Sequence, residues 1–275
     1  MMRNMSFQLI LGLVLLAIIA CVVIFAPMLA PHSPTATSVN VLGAPSSEHL
    51  LGTDQLGRDV LSRIVHGTRV SFQVGAAAAI VAVLIGAPLG LIAGFFRGWT
   101  DFFLVQVIDI FIALPGLVLA LIITAMLGSS VVNLSFTLGV VTAPTVARLV
   151  RGQVFVVREM LFVEAARATG ASPFWIIRKH IMPNTMRIVW AQFAINVAIA
   201  IFTSSSLSFL GLGVPPPAPD WGSMVRDGSA FLPLRPLMSL APGAAVALTV
   251  FTFYLVGSSL NQTSSRTERR KEQPE

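Results

Sequence analysis

The chain has 275 residues, of which 55% are hydrophobic and only 11% are charged. Because a soluble globular protein carries about 25% charged residues, this composition excludes a soluble fold, a disordered chain and a disulfide scaffold. The mean hydropathy of +0.82 and the net charge of +6 instead indicate a multi-pass membrane protein. The single cysteine, Cys21, excludes an internal disulfide and is expected to be a small buried hydrophobic side chain.

Apolar runs long enough to cross a bilayer recur along the chain. A helix needs roughly 20 such residues to cross about 30 Å of hydrocarbon, and continuous rather than alternating hydrophobicity excludes barrel strands. The six predicted spans are Phe7–Ala30, Val70–Phe96, Phe102–Leu127, Val131–Val150, Ile188–Leu210 and Leu237–Leu260. The sequence therefore predicts an all-α membrane protein with six transmembrane helices.

The basic residues predict the orientation of these spans. An even number of spans places both termini on one side, together with the 144–187 region, and that side then holds 13 of the 18 Lys and Arg residues. Cytoplasmic loops carry the Lys/Arg excess, so both termini are predicted to be cytoplasmic, and no nucleic-acid partner is expected. Residues 1–69 are predicted to form the first helix and a periplasmic loop, 70–260 the core, and 261–275 a disordered tail.

The second predicted span contains Gly86, Gly90 and Gly94 at four-residue spacing. This spacing aligns the glycines on one helix face, where another helix can approach closely. Two interpretations are open: packing within this chain's own bundle, or a packing face shared with a partner subunit around a transport pathway.

Asp109 lies about eight residues into the third predicted span, shortly before Pro115. An acid at that depth is costly and usually faces the bundle interior or water. It indicates either a proton relay, which would make the protein a proton-coupled secondary transporter, or a structural hydrogen bond at a helix break. Without a second buried ionisable group to act as its relay partner, the structural role is favoured. An intramembrane enzyme is disfavoured, because all four histidines lie outside the predicted spans.

The loop between the fourth and fifth predicted spans has strong helix signals. Met160–Thr169 is rich in helix formers, and Gly170 suits the left-handed residue that ends a helix. Ser172 is expected to cap a second helix, Phe174–His180, which Pro183 should end. The apolar side chains of this element need a covering surface, which is either the chain's own bundle or a cytoplasmic partner.

The spacing of Glu164-Ala165-Ala166, Gly170 and Pro183 resembles the EAA loop of bacterial ABC-importer permeases. The resemblance implies a coupling loop at about 153–187 that docks into a groove of an ATPase subunit. The coupling residues that it implies are Glu164, Ala165, Ala166, Gly170, Ser172, His180 and Pro183.

Two further stretches resemble the peptide/nickel subclass of that family, and its C-type permease in particular. The first, a predicted periplasmic motif, consists of Gly52, Asp54, Gly57, Arg58, Asp59 and Arg63. The second, a predicted outer-gate motif, consists of Gly211, Gly213, Pro216, Trp221 and Gly222. The charged residues of the first motif are expected to form a salt-bridged cluster, with direct contact to substrate or binding protein as the alternative. The chain departs from the family after Gly257, where the usual acidic ending is missing.

The resemblance implies a type I ABC-importer permease subunit and not an enzyme, located in the bacterial inner membrane and working by alternating access. These 275 residues contain no G-x-x-x-x-G-K-[ST] phosphate loop, so ATP hydrolysis is expected on separate subunits. The implied partners are a homologous permease in a heterodimer, two ATPase subunits or domains that bind ATP and Mg²⁺, an extracytoplasmic binding protein and the lipid bilayer. This chain itself is expected to bind no cofactor. The implied substrate is a dipeptide, an oligopeptide or a related solute such as nickel.

Overall fold

A computed structural model of the chain describes the backbone of residues 7–271 and the side chains of residues 7–261. Within that part the fold is helical, and its one strand-like pairing is an isolated bridge between Thr53 and Asp59. The helices are α1 (Phe7–Leu29), α2 (Val60–Phe95), α3 (Trp99–Ala113), α4 (Gly116–Leu127), α5 (Val131–Arg158), α6 (Leu161–Ala168), α7 (Pro173–Ile176), α8 (Met182–Phe209), α9 (Trp221–Ser229) and α10 (Leu237–Lys271). A π-helical turn, Ile177–Ile181, joins α7 to α8.

Five helical stretches of the described residues are long and apolar enough to cross a membrane: α1, α2, α5, the continuous α7–α8 stretch and α10. The third predicted span, Phe102–Leu127, is instead a pair of helices, α3 and α4, bent by 89°. Pro115 is the N-cap residue of α4. Because proline has a fixed φ and no backbone donor, a helix ends readily before it and begins readily after it. The count reaches six when the bent pair is one span.

Several helices extend beyond the predicted apolar runs. α2 begins at Val60 rather than residue 70, because the Asp59 carboxylate accepts a hydrogen bond from Ser62 N at 2.7 Å and caps the helix. α10 continues to Lys271, although the tail from 261 is predicted to be disordered. The segment 258–271 contains no Gly or Pro, so nothing in it stops the helix. Residues 272–275 of that predicted tail lie outside the described residues.

The helices pack around α2, which runs parallel to α5, since the contacts advance from Gly86 and Ala143 to Gly94 and Val154. An added Cβ on Gly86 would lie 2.4 Å from Ala143 O, and one on Gly90 would lie 2.4 Å from Ala147 O. Both separations are far shorter than van der Waals contact, so only glycine permits this approach. Gly94 packs in the same way against Val154. Packing within this chain therefore accounts for all three glycines.

The expectation that Cys21 is buried is wrong, since this side chain is exposed on α1. The buried positions of α1 include Gly12, Ile19 and Ala26, which repeat every seven residues and form one face. Cys21 follows Ile19 by two residues, or roughly 200° around the helix axis. It therefore lies on the face of α1 turned away from the bundle.

Candidate coupling segment and α9-end cluster

The predicted coupling residues lie together in a compact segment, residues 161–183, at the end of the bundle where α2 finishes and α8 begins. We call it the coupling segment. In α6, Val163 and Ala166 are buried and belong to one apolar cluster with Val154 and Val157 of α5. Glu164 and Ala165 lie on the exposed face of the helix. The amphipathic period of α6 therefore fixes which side of the segment faces away from the protein.

Gly170 ends α6 as predicted, with φ at +78°. Its N–H donates to Arg167 O at 3.0 Å, and Ala171 N–H donates to Ala166 O at 3.0 Å. These two bonds define a Schellman motif, in which the left-handed residue is usually glycine. An added Cβ at this position would have no atom within 4 Å. Glycine is therefore required here by the backbone conformation and not by lack of space.

Ser172 caps α7 as predicted, accepting a hydrogen bond from Trp175 N at 3.3 Å. The expectation that Pro183 ends this helix is wrong, because the π-helical turn leads from α7 directly into α8. In this turn the Met182 N–H donates to Ile177 O, a wider ring than in an α-helix. Pro183 thus falls in the first turn of α8, where a missing donor and a bulky ring are tolerated.

Several large apolar side chains of the coupling segment remain uncovered. Leu161 is 82% exposed and Phe174 is 72% exposed. The His180 ring lies between Phe162 and Trp175, with centroid distances of 5.6 Å and 5.0 Å. The chain's own bundle therefore covers only one side of the segment, and an aromatic surface faces away from the protein.

Charged residues join α2 to α5 beside the coupling segment. A guanidinium nitrogen of Arg158 donates to Gly94 O at 3.2 Å and to Phe95 O at 3.1 Å. Arg97 forms a salt bridge with Glu159 at 3.1 Å. Because a helix C-terminus has free carbonyls and a partial negative charge, a cation here stabilises the end of α2.

The predicted periplasmic motif forms a buried cluster at the opposite end of the bundle, beside α9. Asp54 Oδ2 accepts a hydrogen bond from Arg58 Nε at 2.7 Å, and Arg63 Nε lies 3.6 Å from the same oxygen. Asp59 does not join these arginines, contrary to the prediction. Its carboxylate instead contacts His49 Nδ1 at 3.0 Å, in addition to capping α2.

Gly52 and Gly57 shape the loop that carries this cluster. Their φ angles are +80° and +72°. An added Cβ would lie 2.4 Å from Gly43 O in the first case and 2.1 Å from Ser38 O in the second. Both conformation and space therefore require glycine in this loop.

The predicted outer-gate motif surrounds the start of α9. Trp221 is 1% exposed, and its indole N–H donates to Ile64 O at 3.0 Å, which joins α9 to α2. An added Cβ on Gly222 would lie 2.2 Å from Ser205 O, so α9 and α8 are in backbone contact. The motif therefore packs α9 against two spanning helices.

The loop before α9 carries the rest of that motif. Gly211 has φ at +93°, and Gly213 lies against Ser208, whereas Pro216 is exposed. Asp220 is buried and caps α9 by accepting from Ser223 N at 2.9 Å. Burial raises the pKa of the Asp220 carboxyl above its ordinary value, although the hydrogen bond from Ser223 opposes this shift.

Asp109 has a partner that sequence reasoning missed. Arg148 of α5 forms a salt bridge with it, and Arg151 forms a two-bond salt bridge with Asp101 at 2.6 Å and 2.8 Å. The sequence assigns Arg148 to the basic cytoplasmic group, and the spacing of residues along a chain does not show which helices touch. A paired carboxylate that joins two helices agrees with the structural interpretation of Asp109.

A cavity of about 220 Å³ lies between the break in α3–α4 and the helices α5 and α8. Thr142, Thr145, Asn196 and Thr203 are the polar residues of its otherwise apolar wall. Asn196 Oδ1 accepts a hydrogen bond from Gln192 Nε2 at 3.0 Å within α8. The cavity is open on the side away from the bundle core, since Thr145 is exposed.

These features define the class of protein to which the chain belongs. Five apolar helical stretches and one bent pair make the chain a multi-pass membrane protein. A buried charged cluster lies at the α9 end of the bundle, and charged residues lie beside the coupling segment at the other end. These 275 residues contain no G-x-x-x-x-G-K-[ST] phosphate loop. A helical element with an uncovered aromatic surface projects from one end, as in a membrane subunit that docks with other proteins.

Residues 86–270 match the family described as binding-protein-dependent transport system inner membrane component. The chain belongs to this family. The glutathione transport system permease protein GsiD of Pectobacterium atrosepticum is 39% identical over 216 residues, covering 78% of this chain and 72% of that protein. The dipeptide transport system permease protein DppC of Alkalihalophilus pseudofirmus is 39% identical over 252 residues, covering 91% of this chain and 83% of that protein.

A solved structure, an inward-facing conformation of the MetNI methionine ABC transporter, shares the fold. Its TM-score is 0.57 at 18% sequence identity, covering 73% of this chain and 94% of that one. The chain is therefore a permease subunit of an ABC importer, a transport subunit that works with ATPase subunits and a substrate-binding protein. The alternative of a proton-coupled secondary transporter using Asp109 has no support from these relatives.

Proposed function

We propose that this chain is one of two homologous permeases in a heterodimeric importer that carries short peptides across the bacterial inner membrane by alternating access. The observation that supports this proposal most strongly is the uncovered face of the coupling segment. Both chain termini and this segment lie on the cytoplasmic side, and the α9 end faces the binding protein.

The coupling segment has the chemistry of a docking element. Leu161 and Phe174 together present apolar area at its tip, where water would otherwise surround them. Glu164 and Ala165 lie on the exposed face of α6, so a partner surface can approach the helix closely and pair with the carboxylate. The partner that we propose is an ATPase subunit, which binds ATP and Mg²⁺ outside this chain.

The helix that follows transmits movement of this segment to the bundle. α7, the π-helical turn and α8 form one continuous stretch, Pro173–Phe209. Its far end touches Gly222 of α9 through Ser205 O. A displacement at the ATPase therefore reaches the α9 end along one continuous helical stretch. The free energy comes from the different affinities of the ATPase pair for ATP in the two states.

Short peptides are the proposed substrate class because the relatives at 39% identity are named for glutathione and dipeptide transport. The wider class that the resemblance implies also includes oligopeptides and nickel. The cavity beside the α3–α4 break suits a polar solute, since Thr142, Thr145 and Thr203 supply hydroxyl groups there. We propose that this wall lines part of the transport pathway.

The test uses one charge reversal at each end of the bundle. The Glu164→Arg variant should lose the ATPase subunit on purification and lose ATP-dependent dipeptide uptake in proteoliposomes, because it places a cation in the proposed interface. Membrane insertion should remain normal. The matched control, Glu48→Arg, makes the same charge change at an exposed residue of the α9 end and should retain the ATPase.

Two results would contradict the proposal. The coupling assignment fails if Glu164→Arg retains both the ATPase and wild-type uptake. The substrate assignment fails if the wild-type complex hydrolyses ATP in response to a binding protein but moves no dipeptide or tripeptide.

A further inference from the structure

Two histidines and an aspartate meet in the loop that joins α1 to α2. A side-chain nitrogen of His32, one of His49 and a carboxylate oxygen of Asp59 all lie within 4.8 Å of one another. His49 and Asp59 are buried, and His32 is half-buried. These residues come from three separate parts of the loop: the first turn after α1, the middle of the loop and the N-cap of α2.

Hydrogen bonds fix the ring of each histidine. His32 Nε2 lies 3.0 Å from Glu48 O, and since a carbonyl oxygen only accepts, Nε2 carries the proton and Nδ1 keeps its lone pair. A metal-binding histidine commonly donates its other ring N–H to a backbone carbonyl in this way. His49 Nδ1 lies 3.0 Å from Asp59 Oδ1, which accepts the Nδ1 proton.

We propose that His32, His49 and Asp59 bind a divalent transition-metal ion, with Zn²⁺ as the best match. Two imidazole nitrogens and one carboxylate oxygen are ligands that Zn²⁺ accepts, and a water molecule completes a tetrahedral set. Bonds of about 2.0–2.1 Å place neighbouring zinc ligands about 3.3 Å apart. The pair His49–Asp59 is already at 3.0 Å, so the movement needed falls mainly on the half-buried His32.

The ion takes the place of the proton between His49 and Asp59. With Nδ1 of His49 on the metal, the ring proton moves to Nε2, and the histidine remains neutral. The rings of His32 and His49 already face each other, with a centroid distance of 4.8 Å and an angle of 42°. The hydrogen bond from His32 Nε2 to Glu48 O holds this ring beside His49, so the two side chains are already placed to share an ion.

Such an ion cross-links the end of α1 to the start of α2. His32 follows α1 by three residues, and Asp59 caps α2. His32 N–H already donates to Ser62 Oγ at 3.0 Å, so the ion reinforces an existing contact. Its role is to hold the α9-end loop in position beside the Asp54–Arg58 salt bridge, apart from the transport pathway and from the coupling segment.

The experiment measures metal binding and stability in the purified complex, prepared with an affinity tag that contains no histidine and stripped with a chelator. Zn²⁺ alone is the titrant in calorimetry, and Co²⁺ is a spectroscopic probe of a tetrahedral site. We compare the wild type with His32→Ala and with His66→Ala. His66 lies on α2, and the Nδ1 atom of its ring bonds Ser62 O, outside the cluster.

The affinity of the site should be at least about tenfold lower in His32→Ala than in the wild type or His66→Ala. At a Zn²⁺ concentration that just saturates the wild-type site, the wild type and His66→Ala should therefore bind one Zn²⁺ more than His32→Ala. Zn²⁺ should also raise the thermal midpoint of the wild type but not of His32→Ala, because a ligand stabilises only the state that binds it. His32→Ala is the main variant because His32 is less buried than His49. Equal Zn²⁺ binding and equal thermal shifts in the three proteins would overturn the proposal and leave a hydrogen-bonded cluster only.

Discussion

Asp109 of α3 and Arg148 of α5 form a salt bridge that joins the two helices, and both side chains are about half exposed, at 48% and 51%. A second bridge, between Asp101 and Arg151, joins the same helices nearer the coupling segment. The two salt bridges hold α3, which is one half of the bent α3–α4 pair, against α5.

This arrangement predicts a small effect of neutralisation. Asp109→Asn keeps an oxygen that accepts from Arg148, so the α3–α5 hydrogen bond should survive with only a small loss of thermal stability. ATP-driven uptake should be close to that of the wild type. Measuring uptake and thermal unfolding together checks both parts. Loss of uptake in an intact complex would restore a proton-relay role for Asp109.

Charge reversal gives a sharper test of the same pair. Asp109→Arg places two arginines together and should destabilise the complex, whereas the double variant Asp109→Arg with Arg148→Asp restores opposite charges. The double variant should therefore recover more of the folded complex in size-exclusion chromatography than the single variant does. Equal yields of the two variants would show that the pair contributes nothing to the α3–α5 contact.

The α2–α5 contact predicts a contrast between two glycines. Gly90→Ala puts a methyl group 2.4 Å from Ala147 O, so it should destabilise the protein by about 1–3 kcal/mol. Gly152→Ala adds a methyl group with no neighbour within 4 Å, and in a helix it should be neutral or stabilising by up to about 1 kcal/mol. Thermal unfolding in one detergent compares them, and the packing account fails if Gly90→Ala is as stable as Gly152→Ala.

The left-handed conformation of Gly170 predicts different effects of different side chains. Gly170→Val should reduce ATPase binding, because a β-branched residue disfavours a φ of +78° even though space is available. Gly170→Asn should retain more binding, since asparagine tolerates this conformation. Pull-down of the ATPase on each variant provides the measurement. Equal binding by the two variants would mean that the Schellman motif is not needed for docking.

The buried Asp220 predicts a pH dependence of stability. Because its pKa is raised in the folded state, the folded protein holds this proton more tightly than the unfolded chain does. The stabilisation that the protonated Asp220 carboxyl gives to the fold is therefore fully present below its pKa in the unfolded chain, about 3.9. This stabilisation is lost as the pH rises through the pKa of Asp220 in the folded protein. Asp220→Asn still caps α9 but carries no charge, so it should be more stable than the wild type at neutral pH.

Thermal unfolding over a range of pH checks this prediction. The advantage of Asp220→Asn should shrink as pH falls, because the wild-type carboxyl becomes protonated. Asp59→Asn provides a comparison at a carboxylate that also caps a helix but contacts His49. A constant difference between Asp220→Asn and the wild type at every pH would show that burial does not control this carboxyl.

The sequence alone determined the helical spans, the family and most local geometry of the coupling segment. Continuous hydrophobicity requires helices in a bilayer, whatever the packing. The turn at Gly170 and the cap at Ser172 are local, since a left-handed residue and a side-chain oxygen act on backbone groups a few residues away. These features therefore follow from short stretches of sequence.

Tertiary structure decided the features in which distant residues meet. The partner of Asp109 depends on how α3 crosses α5. The proximity of His32 to His49 and Asp59 depends on the path of a loop of about 30 residues. The continuation of α7 through Pro183 depends on a π-helical turn, which has no clear sequence signal. Spacing along a chain fixes the face of a helix that a residue occupies, but only packing between helices selects its partner.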